Sequence, residues 1–151
     1  MPRILGIDYG ERRMGFAVSD EAEIIAMPLC VVAVLHPRQA AEEVARRVLE
    51  KQAGAVVVGL PLNMNGSRGP AAEAVTQFVE RLRHLVSIPV ETWDERLSSK
   101  AAERILIDAD VRRAKRKQVI DQVAAQIMLQ CYLDAKGPRP GGGDLAEASA
   151  P

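Results

Sequence analysis

The stretch Arg3-Ile4-Leu5-Gly6-Ile7-Asp8-Tyr9-Gly10-Glu11-Arg12-Arg13-Met14-Gly15-Phe16-Ala17-Val18-Ser19-Asp20 decides the fold. Residues 3–9 are an apolar run that reads as a buried strand. Gly10 to Arg13 reads as a turn, and residues 14–20 alternate enough to be an antiparallel partner strand. Residues 24–34 hold a third, mostly apolar strand. After Pro37, which suits a first helical turn, Ala41, Val44, Ala45, Val48 and Leu49 follow helical spacing. Ala55–Gly59 is a short β-branched run of the kind covered on both faces. Pro61 to Pro70 is a turn-rich loop. Ala71, Val75, Phe78, Val79, Leu82 and Val86 mark a second amphipathic helix, and Ile88–Thr92 a fifth strand. Ser98 or Ser99 can cap a third helix carrying Ala101, Ala102, Ile105 and Leu106. Ile120, Val123, Ala124, Ile127 and Cys131 trace a last one. Strands joined by short links form an antiparallel meander, whereas the later βαβαβ portion requires parallel, right-handed crossovers. The expectation is α/β: a mixed five-stranded central sheet, three strands antiparallel and then two parallel, with helices on both faces. One domain is expected over 1–136, and the Gly- and Pro-rich residues 137–151 as a disordered tail.

A chain of 151 residues, 48% hydrophobic and 26% charged, is sized and composed as one globular domain. No apolar run approaches the ~18 residues of a membrane span, and no leader is visible, so a cytoplasmic protein without membrane contact is expected. Cys30 and Cys131 lack CxxC spacing and read as buried thiols; His36 and His84 are isolated, so no His/Cys zinc site can be built. Aromatic content of 3% argues against base-stacking platforms. The net charge of zero hides an asymmetry: residues 1–95 carry 10 Lys/Arg against 13 Asp/Glu, and residues 96–117 carry eight against three. The densest part is Arg112-Arg113-Ala114-Lys115-Arg116-Lys117, read as a basic loop. It can neutralise several phosphates, or be solvated surface.

Asp8 falls at the carboxyl end of a central strand, on the face of Ile4 and Gly6. It either accepts from turn N–H groups or belongs to a charged site. Asp94 and Glu95 end a parallel strand, where ligands of open α/β sheets gather; acids there also complement the dipole of a following helix. Asp121 reads as an acid in the first turn of the last helix, a favourable position by itself. Together these acids can converge. Clustered carboxylates repel unless a cation compensates, and oxygen-only donors point to Mg²⁺ or Mn²⁺. The Gly59–Pro70 loop follows a strand and precedes a helix; its Asn63, Asn65, Ser67 and Arg68 either make a turn or contact a nucleic-acid backbone.

In this order and spacing, GIDYGERRMGFAVSD, VVVGLPLNMNGS, TWDERLSS and DQVAAQIMLQCYLD resemble the YqgF/RuvX family of resolvase-like nucleases over residues 3–135. The resemblance implies a ribonuclease H-like fold and a cytoplasmic, metal-dependent nuclease. It acts either in 5′-end maturation of pre-16S ribosomal RNA or in Holliday junction resolution. It implies Asp8, Glu95 (with Asp94 adjacent) and Asp121 as the acids, with Mg²⁺ or Mn²⁺ held by Asp8, Glu95 and Asp121. Arg12 or Arg13 and the GLPLNMNG loop would face the substrate, branched DNA or precursor rRNA, alongside Arg96 and the basic residues Arg112, Arg113, Lys115, Arg116 and Lys117. The chain departs from related resolvases twice. Where those carry an acid at the end of the fourth strand, it reads Gly59-Leu60-Pro61; where their last helix often carries two acids a turn apart, Asp121 is followed by Ala124 and Ala125. The alternative is a non-catalytic module that binds structured RNA or DNA. An actin-like kinase, whose phosphate hairpin GIDYG also resembles, needs a second lobe. A resolvase is expected to be a two-fold homodimer, because a four-way junction has two equivalent cut positions; an RNA processor need not be.

Overall fold

The computed structural model describes residues 3–98 and 113–137, with side chains of the last helix described from Val123 onward. Five strands, β1 (Arg3–Tyr9), β2 (Arg13–Ser19), β3 (Ala26–Ala33), β4 (Ala53–Leu60) and β5 (Val90–Asp94), form one sheet in the order β3-β2-β1-β4-β5. β1 pairs antiparallel with β2, and β2 with β3; β1 pairs parallel with β4, and β4 with β5. This is the mixed sheet expected from the sequence, with β1 at its centre. The helices are α1 (Pro37–Lys51), α2 (Pro70–Leu85) and α3 (Arg113–Lys136), and a 3₁₀ turn spans Glu95–Leu97. Among the described residues no helix is long and apolar enough to cross a membrane.

The strand alternation sorts side chains into two cores. Leu5, Ile7, Phe16, Val56 and Val58 pack under α1 and α2, which contribute Val44, Val48, Val75, Phe78 and Leu82. Ile4, Ala17, Ala26 and Val57 pack under α3, which contributes Ala125, Met128, Leu129 and Leu133. β1 is apolar without alternation because both its faces are covered. At Gly6 the absent side chain sets the spacing: a Cβ there would stand 2.9 Å from Leu129 Cβ, so α3 lies directly on the strand. Two glutamines fix its direction. Gln130 Oε1 accepts from Ala26 N at 2.8 Å, Gln130 Nε2 donates to the Ile24 carbonyl at 2.8 Å, and Gln126 Nε2 donates to the Ala26 carbonyl at 3.2 Å. At its end, Lys136 Nζ pairs with the buried Glu23 at 2.8 Å. The end of α3 thus docks on the β2–β3 turn, and its earlier turns run toward the carboxyl end of β1.

Several expectations shift. The third strand begins at Ala26, leaving Ile24 and Ile25 exposed in the preceding turn. The fifth spans Val90–Asp94 rather than Ile88–Thr92, because β4 pairs with it through Val56–Leu60. Leu49, expected on the buried stripe of α1, is 80% exposed, since it is turned past the face that holds Val44 and Val48. Both cysteines are half-buried rather than buried. His36 caps α1, its Nδ1 accepting from Arg38 N at 3.1 Å. The basic run is not a loop over its described part: residues 113–117 are the opening of α3. Asp121 is therefore the ninth residue of that helix and not in its first turn. Arg112, the helix expected after Ser99 and the tail beyond Gly137 lie outside the described residues.

Candidate active site

β1 and β4 run side by side and end together, with Ile7 opposite Val58, so Asp8 and Gly59 follow one step later. β5 ends beside them, Gly59 opposite Trp93 and Leu60 opposite Asp94. Trp93 belongs to the α3 core and Val90 to the α1/α2 core. Alternation therefore sends Glu95 to the α3 side with Asp8, and Asp94 to the other. The Glu95 carboxyl arrives over Gly59: a Cβ on that glycine would stand 2.9 Å from Glu95 Cγ and 3.1 Å from Cδ. The bare backbone of residue 59 makes the room through which Glu95 reaches across β4 to Asp8. Glu95 thus occupies the space left by the bare end of β4.

The two carboxyls are hydrogen-bonded to each other. Burial, then the facing Asp8 and its hydrogen bond, then the more distant Asp94, push Glu95 up to about 8. Near neutral pH the Asp8–Glu95 pair therefore tends to hold a shared proton. Two oxygen acids sharing one proton at a strand edge form a donor set that suits a hard divalent cation, since the cation compensates the repulsion that the proton otherwise relieves. Among the described residues no cluster of three such ligands assembles. The third sequence candidate, Asp121, lies on α3 two turns before Leu129, which sits on Gly6. Its backbone is thereby placed toward the Asp8 end of the sheet; its side chain is not among those described.

Asp94 does something else. Its oxygens accept from Arg96 Nε at 3.0 Å and Nη2 at 2.6 Å, and it caps the 3₁₀ turn by accepting from Arg96 N at 3.0 Å. The hydrogen bonds from Arg96 hold its pKa below the usual carboxylate range. The 63–67 turn is knit internally: Asn63 Nδ2 donates to Ser67 Oγ at 2.9 Å, and Ser67 N and Oγ donate to Asn65 Oδ1 at 2.9 and 2.6 Å. Arg68 donates to Thr76 Oγ1 on α2 at 3.0 Å. Arg12 and Arg13 are exposed at the β1–β2 turn, where Gly10 N donates to the Arg13 carbonyl at 2.9 Å. Of the basic run, Arg113, Lys115, Arg116 and Lys117 have described backbone only.

A cavity of about 680 Å³, lined by Tyr9, Pro37, Pro70 and Ala74 among others, lies between the β1–β2 turn and the starts of α1 and α2. Neither Asp8 nor Glu95 lines it, so it is not where the carboxyls meet. The sequence pointed to both acids of the pair and to Gly59 as a place without an acid, but not to the room Gly59 leaves for Glu95, whose signal was a glycine ending a β-branched strand, where a neighbour approaches closely.

Comparison with known proteins bears on this arrangement. The RuvX family model, described as Holliday junction resolvase, matches residues 2–135. A Chloroflexus aggregans protein named "Putative pre-16S rRNA nuclease" is 50% identical over 133 residues, covering 88% of this chain and 94% of its own. A Symbiobacterium thermophilum protein of the same name is 48% identical over 141 residues, covering 91% and 96%. Among solved structures, T. thermophilus RuvC in complex with Holliday junction substrate superposes with a TM-score of 0.59 at 16% identity, covering 92% of this chain and all of that one. The fowlpox virus Holliday junction resolvase does so at 0.53 and 12%, covering 88% and 99%. At such identities the two structures speak to the fold, which is ribonuclease H-like.

Proposed function

The chain belongs to the RuvX family of Holliday junction resolvases, and from that premise we propose that it is a divalent-metal-dependent nuclease that hydrolyses phosphodiester bonds of structured nucleic acid in the cytoplasm. The observation that carries this reading is the Asp8–Glu95 carboxyl pair at the carboxyl end of the central strands. Asp8, Glu95 and Asp121 would hold Mg²⁺ or Mn²⁺. Bound there, such an ion supplies water activation and charge stabilisation at the leaving oxygen. The chain's own contribution is positional. Asp8 is held by the β1 ladder, and Glu95 by the room above Gly59 and by the 3₁₀ turn that follows β5. Glu95 must release the proton it shares with Asp8 before both can act as anionic donors, so cation binding and deprotonation are linked. Arg12, Arg13, the 63–67 turn and the basic opening of α3 lie on elements that can meet phosphates flanking the cut.

Precursor 16S rRNA is the favoured substrate, because the relatives near 50% identity carry that activity in their names, whereas the junction-binding neighbours share only the fold. The test uses the purified chain with labelled precursor 16S rRNA and a labelled four-way junction, in Mn²⁺ or in EDTA. Cutting of the precursor only with the ion, lost in Asp8→Asn while binding persists, is the expected result. Cutting that survives both EDTA and Asp8→Asn overturns the assignment. Preferential cutting of the junction by a dimer moves the substrate to branched DNA.

A further inference from the structure

Glu95 is flanked in the chain by two residues that turn away from it. Asp94 and Arg96 form a forked pair, with Arg96 Nε bonded to both Asp94 oxygens at 3.0 Å and Nη2 to Oδ2 at 2.6 Å. The guanidinium has one more edge to give. Its Nη1 donates to the Met64 carbonyl at 3.1 Å, 32 residues away in sequence. Gly66, at φ +87°, lies under the same group: a Cβ there would meet Nη1 at 3.6 Å. The turn is otherwise closed on itself, with Gly66 N donating to the Asn63 carbonyl at 2.8 Å and Asn63 N to the Ser67 carbonyl at 2.9 Å. Among the described residues, the hydrogen bond that ties 63–67 to another element is the one from Arg96.

We propose that Arg96 is a positioning residue, which Asp94 orients so that it fastens the 63–67 turn to the segment carrying Glu95. The turn and the carboxyl pair are then held in one register, and a phosphate backbone lying on the turn is presented to Glu95 and Asp8. This rests on the nuclease reading for its purpose, though not for its geometry. Asp94 is the counter-charge of the brace, because both its oxygens are already taken by Arg96. A planar fork is needed: a lysine ammonium can satisfy Asp94 or reach the Met64 carbonyl but lacks the geometry for both. The pair is partly exposed, with side chains 34% and 23% accessible, and ion pairs of that kind add little to stability. Its removal therefore loosens the turn without unfolding the domain.

The experiment compares Arg96→Gln, Arg96→Lys, Asp94→Asn and the Arg96→Gln/Asp94→Asn double variant. Cleavage of labelled precursor 16S rRNA in Mn²⁺ is followed alongside amide exchange over residues 63–67. Exchange in the turn is expected to rise about tenfold in both Arg96 variants while the melting temperature holds. KM is expected to rise about tenfold, more than kcat falls, and the double variant to be no worse than Arg96→Gln alone. Unchanged exchange in Arg96→Gln overturns the brace. So does loss of all cutting in Asp94→Asn at saturating Mn²⁺, which would make Asp94 a ligand, or multiplicative losses in the double variant. If the wild-type chain does not cut, the nuclease reading fails, and the exchange arm still decides whether the brace exists.

Discussion

On the face that α1 and α2 cover, the central strands present Leu5, Ile7, Phe16, Val56 and Val58, all at most 1% exposed. On the face that α3 covers, the same strands present Ile4, Gly6, Ala17 and Val57, and then, at their carboxyl ends, Asp8 and Gly59. One side is filled with bulk; the other is thinned with glycine and alanine and ends in carboxyls. Side-chain volume holds the domain together on the first face. On the second, absent side chains let a helix and a glutamate approach the strands closely. Bulk and carboxyls thus lie on opposite sides of one sheet.

Truncation on the bulky face should give the largest stability effect. Phe78→Ala, which empties a fully buried ring position stacked on Tyr9, is expected to cost about 3–5 kcal/mol in urea unfolding. Asp8→Asn should do the reverse: cleavage falls at least about 100-fold, roughly 2.7 kcal/mol of barrier, while the metal-free melting temperature at pH 8 stays level or rises. A melting temperature that drops as it does for Phe78→Ala would break the division of labour. Gly59→Ala places a methyl against Glu95 and should lower cleavage by about 10- to 100-fold, because an ångström of misplacement at a reacting centre is enough. Gly6→Ala forces α3 outward at Leu129 and should cost about 1–3 kcal/mol, showing that the same economy of volume on this face also matters away from the acids.

The carboxyl pair itself is tested by a pH slope. Glu95 is pushed up to about 8 in the fold, against 4.5 for the unconstrained group, so between those values the native chain holds a proton that the unfolded chain has lost. Metal-free stability should therefore be greatest at the acidic end of that window and decline toward pH 8. Melting curves in chelator from pH 5 to 9 should show this decline in the wild type and a flatter profile in Glu95→Gln. Equal slopes in the two proteins would mean that the pair is not coupled as the geometry requires.

Most of the fold was legible because it rests on short-range pattern. The unbroken apolar run of β1, the turn at Gly10–Arg13, the β-branched Val56–Val58 and the stripes of α1 and α2 each carry a local period. The errors fell where two segments had to meet. The fifth strand slid by two residues because its limits come from pairing with β4, and the basic run became helix because α3 starts earlier than its apolar stripe.

From the sequence alone came the order of the described strands and helices, the central place of β1, and Asp8 at its carboxyl end, since burial period and turn chemistry are properties of adjacent residues. Tertiary structure decided which of Asp94 and Glu95 faces Asp8 and which pairs with Arg96. That choice depends on where β5 stops, on the pleat phase this sets, and on a glycine in the neighbouring strand that leaves space for one long side chain to cross. None of those distances is encoded within any single stretch of chain.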